Sequence, residues 1–226
     1  MRRFFLTTAV VAAVVFGLSG VTTEAVNNGF AERFAAAETK QMGEPGAYNF
    51  DRAHSFIGFK VKHNGLIEVP GFFRDFKGTV NYDAADVEKS TVEFTAQAKS
   101  VDTGVTPRDN HLRTADFFEV EKYPEITFKS TKVEKKGKNW IVTGDFTMKG
   151  VTKSISFPFQ IAGFLPGGER SGPRMGITAE TTINRRDFGV NYDTKLPSGI
   201  LAVDDNVKVV LQIEAVVPKQ APPKAE

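Results

Sequence analysis

The sequence predicts an all-β fold: an antiparallel up-and-down β-barrel of about eight strands with a short helical insertion. Three observations predict it. Apolar and polar residues alternate with period two through most of the chain, short turn signals join the alternating runs, and one stretch breaks the alternation with the chemistry of a helix start. Period-two alternation gives each run one apolar and one wet face, the mark of antiparallel sheet.

The first strand lies in Tyr48 to Arg52. In the second, Ile57, Phe59, Val61 and His63 share a face, and Lys60 and Lys62 take the other. Phe76, Gly78, Val80 and Tyr82 oppose Lys77, Thr79 and Asn81; Val92, Phe94, Ala96 and Ala98 oppose Glu93, Thr95, Gln97 and Lys99. A strand over Ile126 to Val133 follows. Trp140, Val142, Gly144, Phe146 and Met148 alternate with Thr143, Asp145 and Thr147, and Ile155, Phe157, Phe159 and Ile161 alternate with Ser156, Pro158 and Gln160. Met175, Ile177, Ala179 and Ile183 face away from Thr178, Glu180 and Thr182; Val207, Val209, Leu211 and Ile213 face away from Lys208, Gln212 and Glu214. Lys135-Lys136-Gly137-Lys138 and Met148-Lys149-Gly150-Val151 read as tight hairpin turns. Consecutive hairpins with a single apolar face close most simply into a barrel; a two-sheet sandwich is the alternative that alternation leaves open.

The interruption is Thr106-Pro107-Arg108-Asp109. Threonine as N-cap, proline at the first helical position and a carboxylate in the first turn predict a short helix through Arg113. Thr114 is expected to cap a second turn holding Asp116, Phe117 and Phe118. Placed between barrel strands, such a segment plugs or flanks an opening.

An eight-stranded barrel is either filled by its own side chains or holds one ligand. The inward faces mix large residues (Phe59, Phe76, Phe94, Phe146, Phe157, Phe159) with small ones (Gly78, Ala96, Ala98, Gly144, Ala179). An interdigitated core and a cavity fit that mixture equally well.

Composition narrows the classes of function. With no cysteine there is no disulfide, no thiolate metal site and no cysteine nucleophile. A formal net charge of +2 without a long basic run argues against a nucleic-acid partner. The chain has 20 Phe against 4 Tyr and 1 Trp, which makes apolar wall without hydrogen-bonding ends.

Residues 1–25 are expected to be a cleaved signal peptide. Arg2 and Arg3 precede an apolar run of about 15 residues, Phe4 to Leu18, and Thr23-Glu24-Ala25 offers a cleavage site. The run is shorter than the ~20 residues of a spanning helix, with an uncleaved anchor as the alternative. The arginine pair before Phe4-Phe5-Leu6 resembles a twin-arginine export motif and equally supplies the charge of a general secretory signal. The expected location is periplasmic or secreted. Residues 26–46 read as a linker, 47–217 as the barrel, and 218–226, with three prolines, as a disordered tail.

Specific segments go further than the pattern. Asp51-Arg52-Ala53-His54-Ser55 precedes Phe59 and His63, and Val69-Pro70-Gly71-Phe72 leads into Phe76 and Gly78. Ser100-Val101-Asp102-Thr103-Gly104 precedes Arg108-Asp109-Asn110-His111-Leu112, then Asp116-Phe117-Phe118, Tyr123-Pro124 and Phe128-Lys129-Ser130. Gly144-Asp145-Phe146-Thr147-Met148-Lys149-Gly150-Val151-Thr152-Lys153 and Arg186-Asp187-Phe188-Gly189 complete the series. In this order, from about Ala47 to Pro218, the chain resembles the YceI-like family. Asp145 departs from the family pattern, where a small apolar residue is commoner. The resemblance implies a lipocalin-like barrel of bacterial periplasmic or secreted proteins that holds a polyisoprenoid, an isoprenoid quinone or another long amphiphile in its lumen. It implies no enzymatic reaction and no cofactor besides the bound lipid. Its implied partners are the long-chain isoprenoid lipid, a membrane or a b-type cytochrome, and a second copy in a homodimer.

On this reading Phe59, Phe76, Phe94, Phe128, Phe146, Phe157 and Phe159 line the lipid chain, and Phe117 and Phe118 gate the mouth. His63, in register with an apolar face, is the first choice for a polar contact. Arg108, His111 and Arg113 are head-group candidates, with ion pairing inside the helix as the alternative. His54, His63 and His111 fit no metal-ligand spacing, so no metal site is expected; His54 reads as a turn residue. Arg185-Arg186-Asp187 reads as a structural hairpin pair. Two other functions remain open. One is an enzyme acting on an apolar small molecule, which would pair His63 with Tyr82 or Ser130 although no G-x-S-x-G elbow is present. The other is a packed-core surface or stress protein. No catalytic residue is assigned.

Overall fold

The computed structural model describes residues 43–168 and 171–219. The expected signal peptide and most of the linker and tail lie outside them. Strand structure runs from Gly46 to Val216 in eleven segments: β1 (Gly46–Phe50), β2 (Phe56–His63), β3 (Ile67–Phe73), β4 (Phe76–Tyr82), β5 (Thr91–Gln97), β6 (Val101–Asp102), β7 (Glu125–Lys136), β8 (Asn139–Met148), β9 (Val151–Leu165), β10 (Arg174–Asn184) and β11 (Val203–Val216). The helix α1 spans Thr106–Leu112. Among the described residues no helix is long and apolar enough to cross a membrane.

The eleven segments make eight staves. β11 pairs with β2 (Gln212↔Phe56) and, further along the same edge, with β1 (Ala215↔Phe50), so β1 and β2 occupy one position in the sheet. β3 and β4 share the next position and β6 and β5 the one after, because β2 pairs with β3, β1 with β4, β3 with β6 and β4 with β5. From there β5, β7, β8, β9, β10 and β11 pair in sequence order, and the β1–β11 pairing closes the ring. The result is a closed antiparallel eight-stave barrel. Closure excludes the sandwich, and the edge left open is at the near end, where β6 pairs with β3 alone.

Three adjacent staves break at one level, where the barrel bends. At the first break Ser55 Oγ donates to Glu214 O and accepts from Glu214 N, replacing a missing rung of the ladder. At the second, Arg74 N donates to Ser100 O and Asp75 N to Ser100 Oγ. The third is the helical turn Ala98–Ser100. Arg52 and Asp75 bridge the first two breaks at 2.9 Å. A register shift beside Ile177 leaves Ala162 unopposed in β9 and turns Phe164 inward, its ring 5.0 Å from Tyr82. Lys149 and Gly150, at φ 49° and 75°, form the two-residue loop between β8 and β9; two left-handed positions are what a type I′ hairpin needs.

The helix starts one residue earlier than expected. Val105 holds the N-cap position without a side-chain cap, and Thr106 is already helical. The Asp109 carboxylate instead turns back and accepts from Thr103 N at 2.9 Å, which ties down the approach to the helix. Thr114 does not cap a second helical turn either. Its hydroxyl donates to His111 O at 2.8 Å, ending α1, and residues 114–118 form non-helical turns.

Candidate functional site

The barrel has a near end, carrying α1, the β2–β3 turn and the 185–202 loop, and a far end carrying the 83–90 loop, the end of β9 and the start of β10. Inside are two apolar chambers. The far one lies between residues such as Val80, Phe128, Phe157, Phe159, Met175 and Ala179, with about 750 Å3 of space counting its open side. The near one has about 800 Å3 of space counting its open side, with Phe59, Phe73, Ala96, Phe146, Met148 and Ile183 among its walls. Ile57 and Phe94 line both and form the waist between them.

The small residues explain why so many phenylalanines leave space. A Cβ on Gly71 would stand 2.3 Å from the Phe59 ring, one on Gly78 2.5 Å from Phe50, and one on Gly144 2.6 Å from Phe128. Each ring therefore lies flat over a glycine of a neighbouring strand and covers the wall instead of crossing the lumen, as aromatic rings do when they shield sheet glycines. Phe128 then stacks with Phe94 at 5.8 Å and tilts against Phe157 at 5.4 Å, within the range of favourable aromatic pairs.

Polar side chains in these walls are few. In the far chamber Ser90 Oγ accepts from Asp83 N at 3.0 Å. In the near chamber the buried Arg185 donates to the carbonyls of Val190, Tyr192, Val203 and Asp204 and pairs with Asp205 at 2.7 Å. Burial pulls this guanidinium below its ordinary pKa, and Asp205 opposes that shift. Arg185 thereby clamps the 190–205 segment across the near end. Its neighbour Arg186 reaches Asp193 and Asp205, and Asp187 pairs with Lys153, so the expected Arg–Asp187 hairpin pair does not form.

A third cavity, of about 830 Å3, forms the mouth and shares Phe59, Val61, Leu112, Phe117 and Val203 with the near chamber. It is the polar one: Lys62, His63, Thr103, Arg108, His111 and Tyr192 line it. Arg108 is held by Thr103, donating through Nε to the hydroxyl at 2.7 Å and through Nη2 to the carbonyl at 2.8 Å. His111 Nε2 lies 2.7 Å from Asp116 Oδ2, and its ring packs edge-on against Phe117 and Tyr192.

The residues expected at the site divide as follows. Phe59, Phe94, Phe117, Phe118 and Phe146 line the near chamber, and Phe94, Phe128, Phe157 and Phe159 the far one. His63, Arg108 and His111 meet in the mouth pocket. Phe76 is a correction. It is buried on the inward face opposite Ala96, as expected, but is not among the residues that line either chamber. Arg113 is the second correction. Its guanidinium donates to Lys99 O and Val101 O, both at 2.8 Å, and so satisfies carbonyls at the third break rather than a ligand. Asp145 points outward, opposite Lys129, so the departure from the family pattern does not touch the lumen. Tyr192 and Lys62 were not anticipated at the mouth. Tyr192 lies in a loop without periodicity, and Lys62 alternates onto the wet face but reaches the rim at the end of its strand.

The structure does not bring His63 together with Tyr82 or Ser130. Tyr82 stands at the far end, and Ser130 Oγ accepts from Val92 N in the wall. At the first break Asp51, His54 and Glu214 place three ligand atoms within 4.8 Å of one another. Arg174 already occupies the space between the two carboxylates, binding Asp51 at 2.8 Å and also Glu214, so the chain supplies its own cation there.

Comparison with known proteins agrees with this architecture. A family model described as the YceI-like domain matches residues 48–215. Protein YceI of Escherichia coli O6:H1 is 36% identical over 175 residues, covering 76% of this chain and 87% of that protein. Among solved structures, the YCEI protein of Campylobacter jejuni is similar with a TM-score of 0.60 at 32% identity, over 75% of this chain and 96% of that one. A polyisoprenoid binding domain from Saccharophagus degradans matches with a TM-score of 0.56 over 77% of this chain and all of that one, and at 16% identity it shares the fold alone. The matched span takes in nearly the whole barrel and the sequence relatives are similar over most of both chains: this protein belongs to the YceI-like family.

Proposed function

We propose that this chain is an exported carrier of a long apolar lipid, a polyisoprenoid or an isoprenoid quinone, with the chain in the lumen and the polar end in the mouth pocket. One observation carries the reading. Two apolar chambers lie in line behind a pocket that carries charged side chains, and their walls offer a polar group on a ligand few partners. Burying an amide or hydroxyl without a partner costs roughly 2–7 kcal/mol, so the lumen selects a long apolar segment and the mouth selects its polar end. The solved polyisoprenoid binding domain with the same fold supports this ligand class.

Chain length supplies the affinity. Each buried CH2 contributes about 0.8 kcal/mol, and the sum reaches the practical ceiling of ~18 to 21 kcal/mol well before a long prenyl chain is exhausted. Few polar contacts are needed, and no cofactor besides the lipid itself. Release is then slow, which calls for a membrane or a membrane-bound partner such as a b-type cytochrome. The arginine pair and apolar run of residues 1–25 support delivery to the periplasm or beyond. Binding requires no reacting group, and no catalytic residue is assigned.

The test is a chain-length series. Lipid-stripped protein titrated with prenyl alcohols of increasing length, and with an isoprenoid quinone, should bind more tightly with each added prenyl unit until the lumen is full. Uniformly weak binding at every length would refute the reading.

A further inference from the structure

Large aliphatic side chains exposed singly on a protein surface need no explanation, whereas a contiguous set does. Six large hydrophobic residues are markedly exposed among those described, and four of them ring the near end: Leu66 (79%), Ile67 (66%), Val105 (44%) and Ile200 (46%). Leu66 and Ile67 form the tip of the β2–β3 turn. Ile200 abuts that turn, since a Cβ on Gly65 would lie 3.2 Å from Ile200 Cγ2, and Asn64 N donates to Ala202 O to hold the two loops together. Val105 precedes α1, across the mouth pocket from them.

Charge is distributed around this rim in a consistent sense. Three acidic groups beside the aliphatic tip and the helix start are taken up within the protein: Glu68 by Lys208, Asp102 by Arg74, Asp193 by Arg186. Lys62 and Lys195 are exposed, flank the aliphatic tip and form no salt bridge among the described residues. Lys62 stands opposite Glu68 and Lys195 lies near Asp193, but both of those carboxylates are already paired with other cations. Exposed aliphatic residues beside exposed lysines are the makings of an interfacial membrane contact.

We propose that the near end docks on a bilayer containing anionic phospholipid, with Leu66, Ile67 and Ile200 entering the interface and Lys62 and Lys195 meeting headgroup phosphates. The mouth pocket then opens against the membrane, the route by which a bound lipid would enter or leave. This rests on the carrier reading for its purpose, but its geometry is independent of what fills the lumen.

The absence of cysteine makes the test direct. Leu66→Cys, Ile200→Cys and Leu165→Cys, each carrying an environment-sensitive fluorophore, are prepared in the full chain. Leu165 is 62% exposed at the far end and serves as the control. Vesicles of phosphatidylethanolamine and phosphatidylglycerol should blue-shift the labels at 66 and 200 and raise their intensity several-fold, leaving 165 unchanged. Lys62→Glu with Lys195→Glu should weaken the apparent vesicle affinity roughly ten-fold or more, since each lysine near an anionic surface contributes on the order of 1 kcal/mol. No response at 66 and 200, an equal response at 165, or a response that grows with protein concentration without vesicles would overturn the proposal, the last pointing to a second copy as the occupant. Bound lipid measured by mass spectrometry on the same samples separates the two ideas. With an isoprenoid quinone added to the vesicles, docking with an empty lumen sinks the carrier reading alone, whereas a filled lumen with silent labels sinks the docking alone.

Discussion

The Phe59 ring lies across Gly71, its partner on the neighbouring strand, so closely that a Cβ on Gly71 would stand 2.3 Å from Phe59 Cζ. The contact decides whether the ring belongs to the wall or to the lumen. Gly71→Ala must push the ring into the near chamber. The expected result is a loss of about 1–3 kcal/mol in urea unfolding, the usual cost of overpacking, together with weaker retention of long prenyl chains. Unchanged stability and retention would contradict the role given to the glycine.

Ala179 tests the far chamber in the same way. It is buried in the far wall, away from the mouth. Ala179→Phe should shorten the longest prenyl alcohol that binds with full affinity while leaving short ones unaffected. A length profile identical to that of the parent would show that the ligand does not reach this chamber.

Arg185 holds the near end shut from within. Arg185→Met strands four carbonyls in a buried setting and leaves the carboxylate of Asp205 to Arg186 alone. Removing one partner of a buried charge pair costs about 3–5 kcal/mol, and thermal or urea unfolding should read a loss of that size. A loss below 1 kcal/mol would mean that the 190–205 segment is held by other contacts.

The cluster at the first break predicts two opposite pH limbs. Hydrogen bonds from His54 and Arg174 hold the Asp51 carboxyl down at about 2, against 3.8 for a free aspartate. Its contribution is present above the free value and is lost as pH falls through the window between them. His54 is shifted upward by its hydrogen bond to Asp51. Its contribution is complete below the ordinary histidine pKa of ~6.5 and disappears as pH rises past the raised value. Asp51→Asn should flatten both limbs of a stability-against-pH profile; a variant with both limbs intact would contradict the pairing.

Alternation made the inward faces legible, and with them Phe94, Phe128, Phe157 and the other lining rings. It put Phe76 on the inward face, where its pairing with Ala96 keeps it, but period two does not say how near a chamber a buried ring lies. Arg113 and Arg185 failed to read for another reason. Both spend their donors on carbonyls left free where the chain departs from regular strand, and a charged residue in sequence carries no mark of that use. The Asn64-Gly65 hairpin was legible in principle, being a strong turn dipeptide. Tyr192 had no local signal, and it reaches the mouth only because Arg185 draws its loop inward. Ligand class stood on the resemblance of whole segments, since large and small inward residues are shared by packed and hollow barrels.

Native mass spectrometry on the protein purified gently from the cells that produce it tests the central claim most directly. A bound mass that dissociates as a prenyl lipid is the predicted result. An empty protein that also refuses added isoprenoid quinone and polyprenyl phosphate would contradict it, and would leave a barrel whose lumen serves no ligand.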